Sequence, residues 1–443
     1  MQKIGLQPAM AAVFGSMLIA MYFVPQMMLV ICAILAMHAL RGVKESIEAL
    51  TFSFLIGFLN PGMFDFPSGA LALRWLILIS AFGRVLFTVM FAERYTIPKP
   101  IGSLLYFAMV CIALSVAASF HPMISMVKII MFTVGAFTIL MGFQLTADYK
   151  EYWERWFVNF YFFVMLVSLP FILTEVGYYN NMAGFQGILN QPQAYGLFLA
   201  PFTAYYTARI ILQEDASLVS VLGMLLGWIS IFFSQARMAF VAVTLSVVFL
   251  LIIRMMRGIP QTTRQGSFIT YPVIVAACMA GIILVFNIDP VLEKFGSFVN
   301  KGYDFDTYEE GYQQSRGYMV DRSLNNFTDN PVMGIGFGID SRLDDRTVGQ
   351  AEFMGIPLGA PTEKGFLLSA VLEEIGLVGM AFFVFFFAGL ISYVFRLPLT
   401  SEHALFLGCI FVNIAEMVFF SFGGSGLYLW LLIGFTSVGW NRE

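Results

Sequence analysis

Charge is the scarcest property of this chain. Only 12% of its 443 residues are Asp, Glu, Lys or Arg, against about a quarter in an ordinary soluble domain. That scarcity, with 59% hydrophobic residues, excludes a water-soluble globular protein. Histidine is rarer still: His38, His121 and His403 are the whole complement. The four cysteines, Cys32, Cys111, Cys278 and Cys409, all sit inside apolar runs. Such isolated positions exclude a disulfide framework and a zinc site. No GxxxxGK[ST] phosphate loop occurs, so the chain holds no ATP-driven pump of that type. Strict apolar/polar alternation is missing too, which excludes a transmembrane β-barrel. There is no internal repeat at a fixed period and no low-complexity tract. Lys3 precedes an apolar run from near Ala9 without a small-residue cleavage site, so the first run reads as a retained span. A nucleic-acid partner is not expected.

What is present is a succession of membrane-length apolar runs. They predict an all-α, polytopic transmembrane helical protein with about 12 to 14 spans and one large periplasmic loop containing short helices. The expected centres are Ser16, Ala33, Phe54, Ile79, Met109, Thr133, Val164, Tyr205, Leu225, Leu245, Cys278, Phe382, Phe411 and Leu431. Pro25-Gln26 alone separates the first two. Three regions follow: membrane helices over 1–288, a hydrophilic loop over 289–362, and further membrane helices over 363–443. Arg41/Lys44, Arg94/Lys99, Lys150/Arg155, Arg209, Arg254/Arg257/Arg264 and Arg396 fall on alternate connections. By the positive-inside rule that face is cytoplasmic, with both termini on it. The 289–362 loop then faces outward, together with the short loops around Asp65, Asn190 and Arg237. In a bacterium that side is the periplasm.

A few cations break the pattern. Arg74 and Arg84 lie inside the fourth run, Lys128 near the outer end of the sixth, and Arg237 in an outer turn, FFSQARMAF. An intramembrane charge is costly unless it faces a partner or a polar cavity. Guanidinium groups gathered near one face suit a phosphate, which they bind bidentately; the bland alternative is snorkelling or a carboxylate partner. In the loop, Gln313 to Phe327 predicts an amphipathic helix with Tyr318, Leu324 and Met319 on its apolar side. Asn330-Pro331 ends it. Gly334, Gly336 and Gly338 then permit a tight backbone and close approach to a ligand. This GxGxG follows no strand and is no dinucleotide fingerprint. The acids of the loop, Asp304, Asp306, Glu309 and Glu310, miss the EF-hand spacing and read as a solvated face. At the loop's end Thr362 can cap the next helix, with Glu363 as a capping acid or a functional group. Glu373 and Glu374 lie two to three turns deeper, facing a polar cavity or a cation.

Four stretches, in order, resemble the bacterial O-antigen ligase/O-antigen polymerase superfamily of polysaccharide-assembly membrane proteins. Gly184-Phe185 through Asn190-Gln191-Pro192 is similar to its G-F-x-x-N-P-N region. Ser234 to Arg237 is similar to its S-x-S-R motif. Arg316 followed by NPVMGIGFG is similar to R…(D/N)-P-L-x-G-x-G. Glu363 to Gly379 is similar to H-N-x-Y-L-x-x-x-x-E-x-G-x-x-G. The resemblance covers the C-terminal part of the chain; the N-terminal half agrees only as a stack of spans.

The resemblance implies transfer of a glycan from an undecaprenyl-diphosphate donor to an acceptor hydroxyl, on the periplasmic face of the inner membrane, without metal or other cofactor. Arg237 and Arg316 would hold the diphosphate, helped by Arg74 or Arg322. Gln193, Ser234 and Lys364 complete the substrate-binding candidates, and Glu363 and Arg316 are the catalytic ones. The departure is at position 363, where ligases of the family carry His and this chain carries Glu363. That favours a Wzy-type polymerase, whose donor and acceptor are both lipid-linked, over a ligase acting on lipid A-core. Membrane lipids and a polysaccharide chain-length regulator are the other implied partners. A lipid-linked oligosaccharide flippase is the main reading of a different class, but the repeats and midplane polar groups expected of a transporter are missing.

Overall fold

The computed structural model describes residues 8–91, 97–180, 184–257, 317–342, 352–353, 356–357 and 364–438. Among them are fourteen α-helices: α1 (Pro8–Phe23), α2 (Met27–Arg41), α3 (Val43–Gly57), α4 (Ala70–Phe91), α5 (Lys99–Ala118), α6 (Pro122–Leu145), α7 (Lys150–Ser168), α8 (Pro192–Ile211), α9 (Leu218–Ser234), α10 (Arg237–Met256), α11 (Tyr318–Asp329), α12 (Leu367–Val394), α13 (Ser401–Glu416) and α14 (Gly426–Thr436). A two-residue antiparallel pair, Glu352–Phe353 with Ile356–Pro357, is the only ladder of strands among the described residues.

The protein is all-α and polytopic, as the apolar runs predict. Lipid offers no hydrogen bonds, so each crossing segment must satisfy its own backbone as a helix. Among the described residues, six helical stretches are long and apolar enough to cross a membrane: α4 from Ala72, α5, α6, α7 with its flanking turns, α10 and α12. Helices α1, α2, α9 and α14 are apolar but shorter. Fifteen residues in α2 rise about 22 Å, less than the ~30 Å of a hydrocarbon core. Thirteen of the fourteen expected span centres fall within described helices. The span expected at Cys278 lies outside the described residues, as do the acids at 304–310. Cys32, Cys111 and Cys409 are buried and unbridged.

The core is aromatic. Phe54 stacks on Tyr428 at 4.9 Å between centroids, and Phe198 stacks on Tyr428 at 4.7 Å. A second nest joins Phe132, Phe419 and Trp430, with Phe419–Trp430 centroids 4.9 Å apart. Such pairs add about 0.5–1.5 kcal/mol each beyond the burial of their area.

The helix ends separate into two polar faces. At one end meet the C-termini of α2, α8, α10 and α12 and the N-termini of α3, α7, α9 and α13. There Lys150 pairs with Glu402 at 2.7 Å, and Arg209 pairs with Glu154 at 3.2 Å and Asp215 at 3.4 Å. Glu48 accepts from Tyr152 and lies 3.0 Å from His38, and Arg257 donates to the carbonyls of Phe395 and Leu397. These are the cationic connections read from the sequence as one face. The opposite end carries the turns at 58–69, 119–121, 174–180, 184–191, 234–237, 330–342, 364–366 and 417–425. Asn60, fully buried, ties two of them together. Its amide donates to the carbonyls of Val176 and Gly187, both at 2.9 Å.

Thr362 and Glu363, expected as caps, lie outside the described residues; α12 starts at Leu367 with Phe366 at its N-cap. The turn at Lys364-Gly365, with Gly365 at φ +75°, delays the helix. In α11, Tyr318 and Leu324 are exposed, at 49% and 40%, and Ser323 is the buried residue. Its inward side is mixed, with Met319, Val320 and Phe327 half-buried and Asn326 donating to the Glu373 carboxylate. Of the alternating glycines, Gly334 lies against the backbone of Glu373 and Glu374, Gly336 against Ser119 and Gly338 against the Lys128 side chain.

Candidate functional site

The four stretches singled out in the sequence pack as two couples at the same end of the molecule. In the first couple, α9 and α10 are joined by a sharp turn, Ser234-Gln235-Ala236. Gln235 takes a left-handed conformation, φ +53°. The Ser234 hydroxyl donates to the Ile231 carbonyl at 2.7 Å and accepts from the Ala236 N–H. This turn delivers Arg237 as the first residue of α10. Against it lies the 184–192 loop, whose Phe185 N–H donates to the Phe233 carbonyl at 2.9 Å. A Cβ on Gly184 would fall 2.6 Å from the Ser234 carbonyl oxygen, so only a glycine lets the two segments meet.

In the second couple the glycine-rich loop is spliced into α12. An unbroken helix would bond Leu377 N–H to the Glu373 carbonyl and Val378 N–H to the Glu374 carbonyl. Here Leu377 and Val378 donate instead to the carbonyls of Pro331 and Val332, at 2.9 and 3.3 Å. The freed carbonyls of Glu373 and Glu374 accept from the N–H groups of Ile335 and Gly336, both at 2.9 Å. Four backbone bonds are exchanged without a net loss. The break is taken up by Gly376, at φ +62°, ψ −166°, a region open only to glycine.

At the splice sits a buried cluster of charge. The Lys364 ammonium is fully buried, 3.0 Å from Glu373 Oε2 and 3.2 Å from Glu374 Oε1. Neither contact lies along a hydrogen-bond direction, so the attraction is coulombic. The carboxylates take their hydrogen bonds elsewhere. Glu373 accepts from the Asn326 amide at 2.6 Å and the Ser341 hydroxyl at 2.9 Å. Glu374 accepts from the Gly338 N–H at 2.6 Å. Lys128, from α6, donates to the Gly338 carbonyl. Two ammonium groups and two carboxylates thus balance, the condition under which such charges persist away from water.

The remaining predicted residues divide. Arg74 is buried in α4; its Nε donates to the Ser53 carbonyl at 2.8 Å and its Nη1 to the Gly423 carbonyl at 3.4 Å. Arg322 is half-buried on α11, its guanidinium 6.0 Å from the centre of the Tyr318 ring. Arg84 is half-buried, lying 5.9 Å from the Phe87 ring. Gln193 is exposed in the first turn of α8. Arg316 and Glu363 lie outside the described residues, each next in sequence to a described one, Gly317 and Lys364. Asn326, Ser341 and the break at Gly376 escaped the sequence reading. Two adjacent acids followed within two residues by glycine, inside an otherwise apolar run, were the available signal.

Comparison with known families agrees with this geometry. Residues 222–384, from α9 into α12, match the family model described as O-Antigen ligase, and this supports membership of the O-antigen polymerase/ligase superfamily. Members of that family act as glycosyl transferases. No curated protein matches the chain.

Proposed function

We propose that this protein polymerises undecaprenyl-diphosphate-linked oligosaccharide repeat units on the periplasmic face of the bacterial inner membrane. The observation that supports the reading is the packing of the four stretches as two couples, 184–192 on the 233–236 turn and 331–338 on 373–378, at the end opposite the cationic connections. Both termini are then cytoplasmic by the positive-inside rule.

In the reaction the oxygen of an acceptor hydroxyl attacks the anomeric carbon of the donor glycan. The new glycosidic bond forms as the carbon–oxygen bond to the diphosphate breaks. The bonding pair leaves on the lipid diphosphate, and the hydroxyl proton passes to Glu363 as general base. Charge growing on the leaving group is met by Arg237 and Arg316, with Arg74 and Arg322 raising the local positive potential, while Lys364, neutralised by Glu373 and Glu374, holds the segment next to Glu363. Preorganised donors of this kind contribute about 10²–10³ in rate each. Ser234 and Gln193 supply hydrogen bonds at the same end. The reaction as written uses no cofactor; its donor and acceptor are the lipid-linked glycans themselves, and a chain-length regulator is a partner by resemblance.

A second reading is favoured by the description of the matching family, O-Antigen ligase: transfer of the finished polysaccharide to a lipid A-core acceptor. One experiment separates them. Purified protein is given synthetic lipid-diphosphate repeat units, with or without lipid A-core. A ladder of products, weakened about 100-fold by Arg237→Ala and abolished by Glu363→Gln, supports the polymerase. A single transfer onto lipid A-core supports the ligase. Absence of both products rejects the enzymatic reading and turns attention to lipid-linked oligosaccharide transport.

A further inference from the structure

Resting on the transfer reaction above, we infer that Glu373 and Glu374 are positioning residues for it. Through Lys364 and Asn326 they set the placement of α11 relative to the start of α12, and so govern turnover more than donor binding.

The observations converge from three sides. Asn326 belongs to α11, the helix that also carries Arg322 and that follows Arg316 directly. Its amide bridges Glu373 Oε1 at 2.6 Å and the Ser341 carbonyl at 2.9 Å. Lys364 is the residue next to Glu363, and its ammonium is held between the two carboxylates with no exposed surface. Gly338 closes the third side, gripped by Glu374 through its N–H and by Lys128 through its carbonyl. Each group fixes a different segment, and all of them end on two adjacent carboxylates.

Stability alone does not explain this construction. A buried ion pair replaced by apolar residues of similar volume is often neutral or stabilising. A continuous α12 would also keep its own hydrogen bonds, without the break at Gly376. What the splice provides is a fixed register. Backbone bonds from 331–336, side-chain bonds from Asn326 and Ser341 and the ion pairs of Lys364 are all measured from the same turn of α12. Displacements of about 1 Å at reacting groups lower turnover by about 100-fold, so such a register matters to the reaction without touching substrate.

The test uses full-length protein with synthetic lipid-diphosphate repeat units. The double variant Lys364→Met/Glu373→Gln removes one charge of each sign, leaving Lys128 with Glu374 across Gly338, and so avoids an uncompensated buried ion. Asn326→Ala cuts the link to α11 without changing charge. A positioning role predicts that kcat falls about 100-fold in the double variant and about tenfold in Asn326→Ala, with KM for the donor within about threefold of wild type. A merely structural role predicts loss of thermal stability with kcat of the folded fraction unchanged. Wild-type kcat in both variants, or a rise in KM alone, overturns the inference. If the double variant does not fold, Asn326→Ala decides by the same criterion. Wild-type protein lacking both polymer and ligated product overturns the functional reading, and the inference with it.

Discussion

Gly376→Ala tests the splice most directly. At φ +62°, ψ −166° the residue occupies backbone space that an L side chain enters only with strain, at about 1–3 kcal/mol. The added methyl also has nowhere to go. It would lie 2.3 Å from the Val332 carbonyl oxygen, 2.4 Å from its carbon and 2.7 Å from the Met333 nitrogen. Those are backbone atoms of the spliced loop, so relief requires the loop to move and its bonds to Leu377 and Val378 to lengthen. Overpacking of this kind adds about 1–3 kcal/mol. Together the effects amount to about 3 kcal/mol, roughly a hundredfold in the folded-to-unfolded ratio. At ~2 °C per kcal/mol for a large chain, the apparent Tm in detergent should fall by about 6 °C. The matched control is Gly102→Ala in α5, where an added Cβ meets nothing within 4 Å. Helix propensity there predicts a neutral or slightly stabilised protein. Thermal unfolding of both variants, read by loss of the monodisperse peak after heating, gives the comparison. Equal Tm values for the two variants would refute the spliced geometry.

Other perturbations follow from the same coordinates. Gly57→Ala places a Cβ 1.8 Å from Arg74 Nη1, displacing the guanidinium from Ser53 and Gly423. A loss of about 1–3 kcal/mol is expected, and a double-mutant cycle with Arg74→Ala should show coupling above about 0.5 kcal/mol; additivity would reject the contact. Asn60→Ala leaves the carbonyls of Val176 and Gly187 without their donor and removes the acceptor of the Gly62 N–H. Thermal unfolding should register about 2–3 kcal/mol, and a change below about 0.5 kcal/mol would contradict the tie between the two outer loops. At the cationic end burial pushes the Asp215 carboxyl upward, but hydrogen bonds from Ser217 and Ser220 and the charge of Arg209 outweigh it and hold it below its ordinary value. A lowered folded pKa contributes stability that is complete above the unfolded value and lost as pH falls through the folded one. The advantage of wild type over Asp215→Asn should therefore hold constant above the usual carboxylate range and shrink as pH drops below it; a constant difference down to acid pH would exclude the linkage.

Local physics made much of this architecture legible from residues alone. A helix satisfies its own backbone, so an uninterrupted apolar run such as Pro122–Leu145 announces α6 without reference to its neighbours. Pro25 and Pro331 end helices by removing a donor, and α1 and α11 stop where those prolines predict, at Phe23 and Asp329. Among the described residues Lys150, Arg209 and Arg257 gather at one end, because charge that is costly in lipid must sit at a boundary wherever the helices pack. Glycines at 334, 336 and 338 were read as positions of unusual backbone, and each takes positive φ.

What tertiary structure decided is the pairing. Nothing near Arg74 in the chain indicates that it reaches Gly423, 349 residues on. Nothing near Glu373 indicates that its carbonyl is taken by Ile335 and its carboxylate by Asn326 and Lys364. Hydropathy and helix propensity act over a few residues and are written in order along the chain. The partners of a buried charge, and the place where a helix surrenders its own hydrogen bonds to a loop, depend on which segments packing brings together, and that is set only when the whole bundle closes.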